Sequence, residues 1–229
     1  MAATDSTSPK FIVMSDFDGT ISLDDTGNIL TDASMGKERR EAIDNEYMEG
    51  KISFRELQIQ EWSGVNLTWE TAVELLKDST IDPHFAGVVD WCIAHKIPLG
   101  IVSAGLDKLI DLHFEHSLTK EQLEYMEIFS NKLIVVGDKW SIRFADDSEL
   151  GHDKAASIKK VADRYEVAPK VVFIGDGISD VASAKEADYL FAKRGLDLDN
   201  WCEKNGVKRD PFDDFAYITK RLEEISAVL

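Results

Sequence analysis

The apolar run Phe11-Ile12-Val13-Met14 leads directly into Ser15-Asp16-Phe17-Asp18-Gly19-Thr20. Four consecutive apolar residues, two of them β-branched, are the signature of a short strand buried on both faces. Two aspartates one residue apart at the end of such a strand repel each other, and a chain that keeps them there holds something positive between them.

Working outward, runs of the same kind recur at 97–102 (IPLGIV), 171–174 (VVFI) and 189–192 (YLFA). Helical patterns lie between them. Ile158, Val161, Ala162 and Tyr165 share one face of a helix starting near Asp153, and Leu106, Leu109 and Ile110 mark another directly after Ser103-Ala104-Gly105. Strand and helix in alternation predict an α/β fold, a Rossmann-like parallel sheet with helices on both faces. Residues 127–144 depart from the pattern with a β-hairpin turning at Gly137-Asp138. Residues 22–82 carry only helical signals: Ser53-x-x-Glu56 is a capping box, and Trp69, Ala72, Val73 and Leu76 form a stripe after Thr68. The expected organisation is a discontinuous core, 1–21 and 83–229, with a helical cap domain, 22–82, inserted after the first strand.

The 229 residues, 44% of them hydrophobic, suffice for a full core. Lys and Arg number 26 against 43 Asp and Glu, a net charge of -17, which argues against nucleic acid and anionic membranes as partners. Two cysteines, Cys92 and Cys202, provide no disulfide framework and are expected as inert core thiols in a reducing compartment. The opening MAATDSTSPK has no apolar leader, and no later segment reaches the ~20 apolar residues of a membrane helix. The expectation is a cytoplasmic protein, monomer or homodimer, acting on a small molecule.

In an open parallel sheet, ligands bind beyond the carboxyl ends of the strands. There the sequence places Asp16 and Asp18, Ser103 in VSAG, Lys154 opening a helix in GHDK, and Asp176 and Asp180 in GDGISD. Several carboxylates make an oxygen-lined site suited to Mg2+. Lys154, the Ser103 hydroxyl and backbone N–H groups at helix starts make a cradle for a phosphate. Asp16, ionised at neutral pH by its ordinary pKa of about 3.9, needs no base to act as a nucleophile. Asp18 is placed to protonate a leaving alkoxide and then to take a proton from water. Gly19 lets the backbone approach the phosphate. GDGISD is not a dinucleotide loop, since Asp180 would stand where a pyrophosphate belongs. Lys159 and Lys160 compete with Lys154 but lie deeper in their helix. His113 is expected as a core histidine, and no histidine pair has a zinc-ligand setting.

On DFDGT, VSAG, Lys154 and GDGISD, in that order along the whole core, the chain resembles the phosphatase branch of the haloacid dehalogenase superfamily. The resemblance implies a magnesium-dependent phosphomonoesterase working through an aspartyl phosphate. It implies metal ligation by Asp16, the backbone carbonyl of Asp18 and Asp176, with Asp180 assisting, and phosphate binding by Phe17, Gly19, Thr20, Ser103, Ala104, Gly105 and Lys154. Asp18 sets it apart from the ion pumps (Thr there) and the true dehalogenases (Tyr). The insert, GHDK and the tail SAKEADYLFAKRGLDL look most like the phosphoserine-phosphatase-like group, especially small fungal phosphatases of polyol phosphates.

Selectivity is expected in the cap. Asp25 stands nine residues after Asp16, where the phosphoserine enzymes place an amine-reading glutamate, and with Asn28 it suits hydroxyl groups. Arg39, Arg40 and Arg55 are candidates for reading a substrate carboxylate, but none matches in spacing. His152, Lys193 and Arg194 are further candidates for touching substrate. The expected substrate is a polyol or sugar monophosphate. The alternatives are phosphoserine, the phosphorylated methylthio-ketopentene of methionine salvage, or, in another class, a receiver-like phosphoacceptor module.

Overall fold

Seven strands, β1 (Phe11–Ser15), β2 (Leu99–Leu106), β3 (Glu127–Val136), β4 (Lys139–Arg143), β5 (Lys170–Gly175), β6 (Tyr189–Lys193) and β7 (Asp210–Phe212), form one sheet in the order β4-β3-β2-β1-β5-β6-β7. The computed structural model describes residues 8–229, so the expectation about an N-terminal leader falls largely outside the described residues. All pairings are parallel except β3 with β4. The chain runs outward from β1 through β2 and β3, then returns to lay β5 on the other side of β1. That reversal opens a crevice at the carboxyl end of β1, the position where open α/β sheets bind ligands.

Alternation along β1 explains why it is buried throughout. Phe11 and Val13 face a core filled by α5 (Phe85–His95) and α11 (Phe215–Val228), while Ile12 and Met14 face α8 (Lys154–Ala162) and α10 (Asp197–Asn205). Helices α6 (Asp107–Ser117) and α7 (Lys120–Tyr125) join the first face, and the short α9 (Val181–Ala184) the second. Both cysteines are buried in these cores, where burial pushes the Cys92 thiol up to about 12 and leaves it unreactive.

Between β1 and α5 the chain forms α1 (Thr26–Met35), α2 (Lys37–Met48), α3 (Phe54–Ser63) and α4 (Trp69–Leu75). The expected capping box at Ser53 and Glu56 and the N-cap at Thr68 are both formed. The two ends of this insert meet at an antiparallel bridge between Ser22 and Ile81. A third apolar cluster joins Leu30, Trp62 and Leu76 of the insert to Leu109, Leu133 and Trp140. Trp62 and Trp140 stack at 5.9 Å, and the Trp140 indole N–H donates to the Leu67 carbonyl at 2.7 Å. Such an aromatic pair contributes about 0.5–1.5 kcal/mol beyond its area burial. The hairpin β3–β4 is thus the wall on which the insert rests.

Three details differ from the sequence expectation. β2 begins after Pro98 and runs on to Leu106, with a register shift between Val102 and Leu106 that carries Ser103-Ala104-Gly105; α6 therefore starts only at Asp107. α8 ends at Ala162, and Tyr165 packs on the same core from beyond its end. β7 carries no apolar run in the sequence because it is a three-residue edge strand containing Pro211, the kind of run a proline disguises. No helix among the described residues is long and apolar enough to cross a membrane.

Candidate active site

Asp16 and Asp18 leave β1, Asp176 follows β5 and Asp180 ends a single 3-10 turn, Ile178–Asp180. Asp16, Asp176 and Asp180 bring carboxylate oxygens within 4.8 Å of one another. Lys154 reaches them because Asp153 caps α8, accepting from the Ala156 N–H, and turns residue 154 toward the strand ends. Its Nζ lies 2.7 Å from Asp16 Oδ2 and 2.7 Å from Asp180 Oδ1. Burial pulls Lys154 down, but the two carboxylates more than offset it and leave the amine raised and charged. Lys159 and Lys160 are exposed on the far side of the helix.

Asp180 is fully buried and its oxygens are engaged: Oδ1 by Lys154, Oδ2 by the N–H groups of Asp176 and Gly177 at 3.0 and 3.1 Å. It shapes the acidic loop from behind. Asp176 accepts from Thr20 Oγ1 at 2.6 Å. Gly19 sits at φ +72°, and a Cβ there would overlap the Asp176 carboxylate, so the turn that follows Asp18 demands glycine. Burial and the neighbouring Asp180 raise Asp176 to about 7, and burial with Asp180 also raises Asp16, against the pull of Lys154. Three carboxylates crowded around one point, all offering oxygen, match a hard divalent cation such as magnesium and offer nothing to a soft metal.

The Asp18 side chain stands apart from that trio. Its Oδ1 accepts from both the backbone N–H of Thr26 (3.0 Å) and the Thr26 hydroxyl (2.7 Å) at the start of α1. Burial, then the charge of Asp25, raise Asp18 to about 7 against those two hydrogen bonds. A carboxyl poised there exchanges a proton readily near neutral pH.

Ser103 is buried, and its Oγ accepts from the Gly105 N–H at 2.9 Å, which leaves its own proton free to donate. The Ser103 carbonyl lies 2.7 Å from His152 Nδ1. A carbonyl only accepts, so Nδ1 carries the proton and Nε2 accepts from Ser157 Oγ at 2.8 Å. Burial lowers His152, keeping it neutral.

These groups open onto a cavity of about 380 Å³ walled on the other side by the insert. Asp25, Asn28, Asp44 and Glu61 line it, and among the described residues that line it Lys154 is the one cation. Burial, followed by Asp44 and Asp25, lifts Glu61 to about 8. Asp25 also caps α1 through Oδ1, accepting from the Asn28 N–H at 2.8 Å. Arg40 is held between Asp32 (2.6 Å) and Asp44 (2.7 Å). Arg55 donates to the carbonyls of Asp146 and Ser148 and lies over the Phe144 ring.

The structure places several of the expected residues outside the cavity lining. His152 has both nitrogens engaged and positions Ser103 instead of facing the cavity. Lys193, the last residue of β6, donates to the Thr20 carbonyl at 3.2 Å, and Arg194 pairs with Asp213; neither lines the cavity. Phe17, Gly19 and Thr20 do not line it either: Phe17 is buried, with its N–H on Asp16 Oδ1, and Thr20 holds Asp176. The Asp18 carboxylate lies outside the acidic trio, and the metal-ligand expectation for Asp18 concerns its backbone carbonyl.

The sequence profile of the haloacid dehalogenase-like hydrolases matches residues 13–185, well over half of the 229 residues. The chain belongs to this family. Among its relatives, Pdp3-interacting factor 1 of Schizosaccharomyces pombe is 40% identical over 220 residues, covering 94% of this chain and 96% of that protein. Polyol phosphate phosphatase PYP1 of Saccharomyces cerevisiae is 32% identical over 228 residues, covering 95% of each. A substrate-bound phosphoserine phosphatase has the same fold, with a TM-score of 0.69 at 21% identity over 94% of this chain and 99% of that one. Within this haloacid dehalogenase-like hydrolase, Thr26, Asp44, Gln58 and Glu61 of the insert and Asn131 of β3 belong to the site's surroundings, and motif reading missed them. The one local signal was the Asp25-Thr26 helix start, which predicts a cap but not what the cap holds.

Proposed function

We propose that this haloacid dehalogenase-like phosphatase hydrolyses a small polyol monophosphate, with residues 22–82 serving as the cap that closes over it. The arrangement of Asp16 against Lys154, with Asp18 held apart at about 7, carries the reading of the chemistry. Asp16 Oδ attacks phosphorus; the bond from phosphorus to the ester oxygen breaks as Asp18 delivers its proton to the departing alkoxide. Asp18, now ionised, takes a proton from the water that attacks the aspartyl phosphate, releasing inorganic phosphate and restoring Asp16. Lys154 and the Ser103 hydroxyl hold the phosphoryl oxygens. Magnesium, held by Asp16, Asp176 and the Asp18 carbonyl with Asp180 behind them, supplies charge neutralisation for the phosphate among these carboxylates. A receiver-like module that stores a phosphoryl group needs neither the proton-exchanging Asp18 nor a walled cavity.

The substrate reading rests on the cap. A phosphoserine carboxylate needs a cation, yet Arg40 is already paired with two aspartates and Arg55 with backbone carbonyls. The facing wall of Asp25, Asp44 and Glu61 offers no cation to a second anion, and its carboxyl oxygens accept hydrogen bonds from hydroxyls. The polyol phosphate activity named for the relative at 32% identity points the same way. Magnesium-dependent phosphate release should give higher kcat/KM for glycerol, erythritol or ribitol phosphate than for phosphoserine, by about 1–3 kcal/mol of hydroxyl-dependent discrimination. Phosphoserine ahead of every polyol phosphate would refute the substrate assignment.

A further inference from the structure

The Ala104 carbonyl accepts two hydrogen bonds, from Asn131 Nδ2 of β3 at 2.8 Å and from Gln58 Nε2 of α3 at 2.7 Å, and Asn131 Nδ2 also donates to Gln58 Oε1 at 3.4 Å. Both side chains are buried, Gln58 at 5% exposure although it belongs to the insert. The peptide plane that holds the Ala104 carbonyl also holds the Gly105 N–H, and a planar unit pinned at its oxygen is pinned at its nitrogen. That N–H donates to Ser103 Oγ at 2.9 Å and so fixes which way the hydroxyl proton can turn. Gln58 is therefore linked, through one rigid peptide, to the hydroxyl that faces the phosphate.

We propose that Gln58 is a positioning residue through which seating of the insert orients the Ser103 hydroxyl for the phosphoryl group. The proposal rests on the phosphatase reading above. Arg55, one turn away on the same helix, provides the contrast: it also ties the insert to the core, through Asp146, Ser148 and Phe144, but touches nothing in the phosphate cradle. If seating alone mattered, the two tethers would be equivalent. If the peptide plane carries the effect, only Gln58 reaches the phosphate.

The test is calorimetric binding of inorganic phosphate, with magnesium, to the wild type, Gln58→Leu, the isosteric Gln58→Glu and Arg55→Met, with thermal melting to verify that each is folded. Loss of the donor to Ala104 should weaken phosphate binding about ten-fold in both Gln58 variants and raise KM for an alkyl phosphate in step. Arg55→Met should stay within about two-fold of wild type for phosphate. Gln58 variants that bind phosphate like the wild type, or an Arg55→Met loss equal to theirs, would overturn the proposal while leaving the phosphatase reading intact. A wild type that neither binds phosphate nor hydrolyses any ester would remove both.

Discussion

Thr26→Val tests the division of labour between the two aspartates of the DFDGT loop. The substitution keeps a β-branched side chain in the same volume and leaves the backbone N–H of residue 26 on Asp18 Oδ1, but removes the hydroxyl that donates at 2.7 Å. A hydrogen bond to a charged group contributes about 1.5–3 kcal/mol. Losing it disfavours the carboxylate by that amount, which at 1.36 kcal/mol per unit raises the Asp18 pKa by about one to two units. The sign follows: Asp18 sits at about 7 with Thr26 pulling it down, so without the hydroxyl the protonated form persists to higher pH. For an alkyl phosphate, kcat/KM reports the step in which Asp18 must be protonated, so its alkaline limb should move upward by that interval. The charge of a bound magnesium ion acts on both enzymes alike, and the comparison reads their difference. With p-nitrophenyl phosphate, whose leaving group needs little protonation, the limb should be shallow in both. Superimposable alkaline limbs for the alkyl ester, or a downward shift, would refute Asp18 as the proton donor governed by Thr26.

Asp16→Asn should reduce turnover by at least ~10³-fold with the melting temperature preserved, since the amide keeps the shape but cannot attack phosphorus; retention of a tenth of the activity would remove Asp16 from that role. Lys154→Met leaves Asp16 and Asp180 buried without their shared cation. Breaking such a pair costs about 3–5 kcal/mol, a fall in Tm of about 10 °C for a chain of this size. Magnesium should narrow the gap by supplying positive charge to the same carboxylates, so an unchanged Tm in chelator would contradict the electrostatic account.

The candidate groups Asp16, Ser103 and Asp176 were legible because each follows an apolar run, and an open parallel sheet puts such ends on one edge; Lys154 was legible as the first residue of a helix. What the sequence could not give was the order of strands along that edge. Lys193 closes β6 as Ser15 closes β1, yet with β5 between the strands its amine meets the Thr20 carbonyl, and Arg194, the next residue, pairs with Asp213. His152 failed for a related reason: two residues before Lys154, it turns the opposite way around the start of α8 and meets the Ser103 carbonyl. The residues of the insert were hidden more deeply. Whether Asp44, Gln58 or Glu61 faces the cavity depends on how four helices settle on the hairpin, and that is decided by Trp62 stacking on Trp140, remote in sequence from every motif.

The pair of aspartates at the end of β1 is tolerable because the strand end divides them. Asp16 points to Lys154 and the acidic trio; Asp18 points to the first turn of α1. One carboxylate is thereby held by a permanent cation, with room for a divalent one, and suits attack on phosphorus. The other is held by neutral donors alone and keeps a proton it can lose near pH 7. An extended strand would send residues 16 and 18 to the same side, but β1 ends at Ser15 and the chain turns at Asp18–Thr20, so the two carboxylates diverge. The insert is needed to complete this, since Thr26 is its first helical residue. The segment that walls the cavity also holds the Asp18 carboxyl through Thr26, and those hydrogen bonds lower its proton affinity. Changes in how the insert docks should therefore alter the pH dependence of turnover as well as the choice of substrate.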